Sequence, residues 1–437
     1  MKDNPMGTDS ATDAAEQTGP FAGIKVIEFG RFIAAPFCAQ LLADGGADVI
    51  KVESMNGDDA RRNGTRISGT EARQFLNKNR GKRAIAADLS NPDILAAIRR
   101  LCEGADVIIV NFRPGQAGKL GLHYEALAKA NPRLIYAANT GYGSKGPLAN
   151  EPGMDMVLQG YTGLAHACEQ GPEALMDPVI DYTAALLMSF GIATALYQRA
   201  LSGRGQHLEI SLLQAALMMQ NNHINHIDAI DGWRHEFVDY LKDAFARGES
   251  WTDVLERRRQ LAGSRMLRSY YGFFRTSDGV IALAGGSRQL QAKICDLLGF
   301  DDPWVRDPKW QPQDADAHSD KILAETSGRI AAQNTEHWLA AFKKAGVPAG
   351  RVQFKEQLIE DPQSQANGYF VRMQHETVGG MTLVAPPLSL SETPFRAHLP
   401  PPTLGRHSRE ILREAGLSDA RIDELVVAGV VRCGEPR

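Results

Sequence analysis

The sequence has no C-x-x-C pair: Cys38, Cys102, Cys168, Cys295 and Cys433 are scattered and odd in number. Neither a disulfide framework nor a zinc site is suggested, no metal is expected, and a reducing cytoplasm is the expected compartment. There is no surplus of positive charge, with 48 Lys+Arg against 52 Asp+Glu and a net charge of −4, so the footprint of a nucleic-acid binder is missing. The first twenty residues, "MKDNPMGTDSATDAAEQTGP", lack the apolar core of a signal peptide and read as a disordered tail. The apolar run Tyr182–Tyr197, bounded by Asp181 and Arg199, is shorter than the ~20 residues a membrane span needs, so it reads as a buried helix and no membrane partner is expected. Also absent are G-x-S-x-G and a Walker sequence, which argues against a serine hydrolase and a P-loop enzyme.

The chain has 437 residues, 43% of them hydrophobic, enough for a large core and for two or more domains. From Gly23 it alternates strand and helix patterns: "IKVIEFG", then "AAPFCAQLLADGG", then "ADVIKVE" form a βαβ unit with parallel pairing. "RAIAADL", "NPDILAAIRRLCEGA" opened by Asn91 and Pro92, and the doubly buried "DVIIVNF" repeat it, followed by "YEALAKANPR" and "LIYAANTGYG". The expected fold is an open α/β sheet with loops at Gly30, Glu53, Asn111 and Thr140, and in such sheets ligands bind outside the carboxyl ends of the strands. From about Asn222 to Leu261 the chain turns charged and aromatic with helical spacing, and "YYGFFRTSDGVIALAGG" reads as a hairpin turning at Ser277–Gly279. "GGMTLVAPPLSLSETP" contributes strands broken by prolines, and "HSREILREAGLSDARIDELVVAGVV" two terminal helices.

Several motifs could carry chemistry. Gly141–Gly146 matches G-x-G-x-x-G, but Pro147 and "LANEPG" follow where a dinucleotide fingerprint must open a helix, so it reads as a glycine-rich turn. His223 and His226, with Asp228 and Asp231 nearby, lack an assignable third ligand and read as surface histidines. The basic cluster "NKNRGKR", Asn77 to Arg83, is either a solvated loop or a phosphate dock. Asp181 opens the apolar run; by itself an Asp there is a helix cap. At the head of such a helix its carboxylate is expected to be held ionised by the helix dipole and backbone donors.

Read in order, "GIKVIEFGRFIAAPFCAQLLADGGADVIKVE", "FLNKNRGKRAIAADLSNP", "ADVIIVNFRPGQAGKLGLHYEALAKANPRLIYAANTGYGSKGP", "GMDMVLQGYTGL", "SGRGQHLEISLLQAAL", "YYGFFRTSDGVIAL" and "LGRHSREIL" resemble the successive blocks of the class III CoA transferases, the formyl-CoA transferase-like family related to the alpha-methylacyl-CoA racemases. The resemblance implies a Rossmann-like large domain with an inserted smaller α+β domain, in an interlocked homodimer. The corresponding expected divisions are a tail at 1–20, the large domain at 21–222, connecting helices and small domain at 223–345, and a return segment at 346–437. It implies transfer of CoA from an acyl-CoA to a free carboxylic acid through an aspartyl-CoA thioester, with CoA as substrate and no permanently bound cofactor. Asp181 aligns with the family's nucleophile and Asp155 with an acidic neighbour, which could modulate Asp181 or serve as a cap. CoA contacts fall on Ile33, Ala34, Ala87, Asp88, Leu89, Ser90, Asn111, Phe112, Arg113, Lys119, Pro152, Gly153 and Met154.

The chain departs from the family pattern in three places. Met154 stands where the racemase branch has a histidine, which speaks against the alternative of an acyl-CoA racemase. "QLAGSRMLRSYYG" offers only Gly263 where formyl-CoA transferases carry a glycine-rich lid, and Ser54 replaces a usual basic residue, so that phosphate contact is either absent or supplied elsewhere, by Lys82 or Arg83. A non-catalytic CoA-binding protein would keep the CoA loops without needing Asp181.

Overall fold

The computed structural model describes residues 18–166, 172–262 and 266–434. Most of the expected disordered tail, Cys168 and Gly263 lie outside them. Two compact units divide the chain: 226–364 forms one, and the residues before and after it in sequence, 18–166, 172–225 and 365–434, form the other.

The larger unit is built on a sheet of β1 (Lys25–Glu28), β2 (Asp48–Glu53), β3 (Lys82–Ala87), β4 (Val107–Val110), β5 (Ile135–Thr140) and β6 (Gln206–Ser211). All six run parallel in the order 3-2-1-4-5-6, and the short strand Val431–Arg432 closes the β3 edge antiparallel. Strand residues alternate strictly between two cores. Val26, Val49, Val107, Ile109, Ile135 and Ala137 face one side, while Ile27, Ile50, Ile85, Ile108, Val110 and Tyr136 face the other.

Helices cover both faces. On the first lie α1 (Ala34–Asp44) and, through Ala185, Met188, Ile192 and Ala195, the long helix Val179–Ser202. On the second lie α2 (Pro92–Glu103) and the C-terminal helices Ser408–Glu414 and Asp419–Val427. Asn91 caps α2 as expected, its Oδ1 accepting from the N–H groups of Asp93 and Ile94 at 3.0 and 3.2 Å. Helix α3 (Asp155–Tyr161) precedes α4, the name used here for Val179–Ser202, and α5 (Leu212–Met219) follows β6. At 24 residues α4 exceeds the apolar run read from sequence and is long and apolar enough to cross a membrane; one of its faces is instead packed against the sheet.

The second unit has a three-stranded antiparallel sheet, Tyr271–Arg275, Val280–Ala284 and Ala349–Arg351, packed on helices Arg288–Leu298, Ala315–Ala331 and Thr335–Ala345. The expected hairpin is there, with Val280 opposite Arg275 across the Ser277–Gly279 turn. Because Ala349–Arg351 pairs with Val280–Ala284, the chain stays in this unit to 364 rather than leaving it at 345.

Candidate active site

Strand order 3-2-1-4-5-6 puts a topological switch point beside β1: the chain leaves β1 toward β2 on one side and reaches β4 on the other, so a crevice opens at the carboxyl ends of β1 and β4. There lies a cleft of about 560 Å3, whose walls are the loops after β1, β4 and β5, the segment 149–154, Asp181 and Leu212.

The loop after β1 turns sharply at Phe32, whose φ of 64° is the only positive value among the described non-glycine residues. Two anchors hold that turn. The Phe32 N–H donates to Asp58 Oδ1 at 3.1 Å, and Asn111 grips Arg31 by accepting from its N–H at 2.9 Å and donating to its carbonyl at 2.8 Å. The first turn of α1 then starts at the cleft with no side-chain cap, presenting the positive end of a helix dipole. Arg31, ion-paired with Asp59, and the exposed Arg113 are the cations on the lining, where the described residues include neither lysine nor histidine.

On the opposite wall two backbones touch. A Cβ on Gly153 would stand 2.3 Å from Gly141 Cα, and one on Gly141 would stand 2.7 Å from Gly153 Cα, so only glycine at both positions lets segment 149–154 close onto the end of β5. Gly141–Gly146 continues as a turn with left-handed Gly143 and Gly146 and opens no helix.

Asp181 lies half-buried in the first turn of α4. The cap of that helix is a different carboxylate: Asp155, buried at the head of α3, accepts from the N–H groups of Ile180 and Asp181 through Oδ2 at 2.8 and 3.0 Å and from Gln159 Nε2 through Oδ1 at 2.6 Å. Among the described residues no donor reaches the Asp181 carboxylate itself. Burial therefore pushes it up to about 7 and the Asp155 charge adds to the rise, while Lys78 opposes it. The expectation that dipole and donors keep Asp181 firmly ionised is corrected, because the donors are spent on Asp155.

A family description, CoA-transferase family III, matches residues 21–408. The chain is 31% identical over 421 residues to the succinyl-CoA:glutarate CoA-transferase of Homo sapiens, spanning 94% of this chain and 90% of that one. It is 32% identical over 415 residues to the succinate–glutarate CoA-transferase of Agrobacterium fabrum, with coverage of 92% and 97%. The chain belongs to CoA-transferase family III. A crystal structure of a CAIB/BAIF family protein from Brucella suis matches with a TM-score of 0.70 and 30% identity over 91% of this chain and 100% of that one. The protein is accordingly a CoA-transferase, and CoA is a substrate.

Within this CoA-transferase the cleft gathers Ile33, Asn111, Phe112, Arg113, Pro152, Gly153, Met154 and Asp181, with Ala34 buried just behind Ile33 in α1. Ala87, which ends β3, and Asp88, Leu89 and Ser90 after it do not line the cleft: Ala87 pairs with Val431, and Asp88 donates its N–H to Val430 and accepts from Ser90. Lys119 is exposed on the helix Gln116–Leu120, also off the lining.

Lys82 and Arg83 are corrections. Lys82 is fully buried and its ammonium donates to Glu28, Pro36 O and Asn79, each at 2.8 Å, which uses all three of its hydrogens. Arg83, on the other face of β3, pairs with Asp48, Glu410 and Glu414. Neither is free for a phosphate at this cleft. Sequence reasoning marked Thr140 as a strand-end loop position but missed Arg31, next to the marked Gly30, and Lys78, which carried no signal beyond membership of a basic cluster.

Proposed function

We infer that this CoA-transferase moves CoA from an acyl-CoA to a free carboxylic acid with Asp181 as the covalent carrier. The observation that carries the reading is a carboxylate on the cleft wall that is desolvated yet accepts no hydrogen bond from any described residue, the condition of an available nucleophile. The other acids on the lining differ: Asp59 is paired with Arg31 and Arg62, and Glu151 is exposed.

An Asp181 oxygen attacks the thioester carbonyl and the C–S bond breaks, giving a mixed anhydride and CoA thiolate. The thiolate then attacks the aspartyl carbonyl, the bond from that carbon to the bridging anhydride oxygen breaks, and the donor leaves with this oxygen as a free carboxylate, so that an aspartyl-CoA thioester remains. The acceptor carboxylate runs the same steps backwards. Arg31, Arg113 and the uncapped start of α1 suit the phosphates of CoA, and backbone N–H groups of the Gly141–Gly146 turn suit the tetrahedral oxyanion, where one donor is typically worth ~3 kcal/mol. The names of the two relatives make succinate and glutarate, with their CoA thioesters, the first substrates to try.

Wild type treated with acyl-CoA and then hydroxylamine is expected to carry a hydroxamate on the peptide containing Asp181. Asp181→Ala is expected to fold, bind CoA and lose transfer by several orders of magnitude. A label elsewhere, or substantial transfer by Asp181→Ala, refutes the carrier role.

The reading includes a homodimer. Leu186, Phe190, Tyr197 and Leu201 form one exposed apolar row along α4, at 52–73% exposure, of the kind a partner covers. Sedimentation equilibrium is expected to give the dimer mass, and a folded monomer at micromolar concentration refutes it.

A further inference from the structure

Lys78 is a buried lysine with no carboxylate at ion-pair distance among the described residues. It is 2% exposed, its ammonium reaches only the side-chain oxygen and carbonyl of Gln74 at 3.3 and 3.5 Å, and it lies 5.7 Å from the centre of the Tyr182 ring. A buried ammonium without a counter-ion is costly unless something else compensates it. The residue after Asp181 is the one whose ring it touches, and the acidic groups that act on it are Asp181 and Asp58, the latter already engaged by Lys51. Asp181 in turn is acted on by Asp155 from α3 and by Lys78, and the Tyr182 hydroxyl by Asp177 and Asp181. Among the described residues, then, a buried cation without an ion pair lies near the ring of the residue next to a carboxylate that no donor reaches, and each acts electrostatically on the other.

We propose that Lys78 is the positioning cation of the reacting centre: it holds Asp181 as a carboxylate when acyl-CoA arrives and offsets the negative charge as it moves to the oxyanion, the CoA thiolate and the departing acid. The charge account requires such a group. One negative charge enters on Asp181, passes to the tetrahedral oxyanion and the CoA thiolate, leaves on the donor acid and returns on the acceptor carboxylate, so a fixed positive charge near Asp181 has an opposite partner at each of these charged stages and favours entry of the acceptor. Desolvation makes that charge effective, because little water screens it. The same desolvation draws the Lys78 ammonium down to about 8, with Asp181 and Asp58 pulling the other way, so it is cationic at neutral pH.

The inference rests on Asp181 being the carrier, and the test separates the two. Single-turnover formation of the Asp181-linked CoA ester is followed against pH in wild type, Lys78→Met and Lys78→Arg, together with acyl-CoA affinity. In wild type the rate is expected to fall on the acid side around the Asp181 midpoint of about 7. Lys78→Met is expected to move that limb upward by about one pH unit and so slow the step roughly fivefold at pH 7, with acyl-CoA affinity little changed, while Lys78→Arg restores the limb. If Lys78→Met fails to fold, Lys78→Gln reads the same limb while retaining a hydrogen bond to Gln74. An acid limb that does not move on loss of the charge, or a Lys78→Arg protein that behaves like Lys78→Met, overturns the proposal and leaves the carrier intact. Absence of any Asp181 adduct in wild type overturns both.

Discussion

Two buried lysines, Lys51 within β2 and Lys78 four residues before β3, are treated in opposite ways. Lys51 on β2 donates to Glu28 and to Gly30 O at 2.9 and 2.7 Å and pairs with Asp58 at 3.1 Å. Burial alone would depress its ammonium, but Glu28, Asp58 and Glu53 outweigh burial and push it up. Lys78 has a glutamine and an aromatic ring, and burial wins. The contrast extends to the neighbours. Glu28 is shared between Lys51 and Lys82, and Arg61 is held by Glu53 and Glu71, whereas Asp181 accepts nothing from the described residues. Charges that brace the turns leading into the cleft are neutralised within the fold, and the charges on the reacting side are left for what binds there.

Removing the cation from each site gives the largest contrast. Lys51→Met leaves the buried Glu28 with Lys82 alone and takes from the buried Asp58 its ion-pair partner, and breaking a buried pair by deleting one partner typically destabilises by about 3–5 kcal/mol. Lys78→Met removes a buried charge that had no pair, so its stability is expected to be unchanged or slightly raised. Denaturant titration of the two variants checks this; equal losses would mean that Lys78 is as structurally bound as Lys51.

The same contrast explains what was legible in the sequence. Strand and helix alternation is local, and the β-branched runs at Val26, Ile50, Ile85 and Ile108 announce a doubly covered parallel sheet before any contact is known. The fate of a charged cluster is not local. Within Asn77 to Arg83, Lys78 lies over the ring of Tyr182 and is acted on by Asp181, Arg80 is clamped by Asp44, Lys82 by Glu28, and Arg83 by Asp48 and Glu414, all partners far along the chain. Adjacent strand residues point to opposite faces, so Lys82 and Arg83 could never have served one phosphate together. The short strands Ala349–Arg351 and Val431–Arg432 were equally hidden, since two or three residues with glycine or charge among them acquire strand character only from the partner they pair with. Asp155 was read as either modulator or cap, and its hydrogen bonds make it the cap of α4 while its charge still raises Asp181.

The smallest expected effect tests the Asp181 side of the comparison without any catalytic assay. Burial and Asp155 raise Asp181 from 3.8 to about 7, so between those values the unfolded chain has released its proton while the folded chain keeps it. The folded state then binds more protons, and stability falls as pH rises through that window. Below it both states are protonated and the penalty disappears; above it the penalty is complete. Asp181→Asn, neutral at every pH, is therefore expected to melt about 2–4 °C above wild type near pH 8.5 and to converge on it near pH 4. A carboxylate stabilised by donors, as the position at a helix head first suggests, has the opposite sign: Asp181→Asn would melt lower at high pH. Thermal melting at the two pH values decides between a carboxylate left bare for chemistry and one held as a cap.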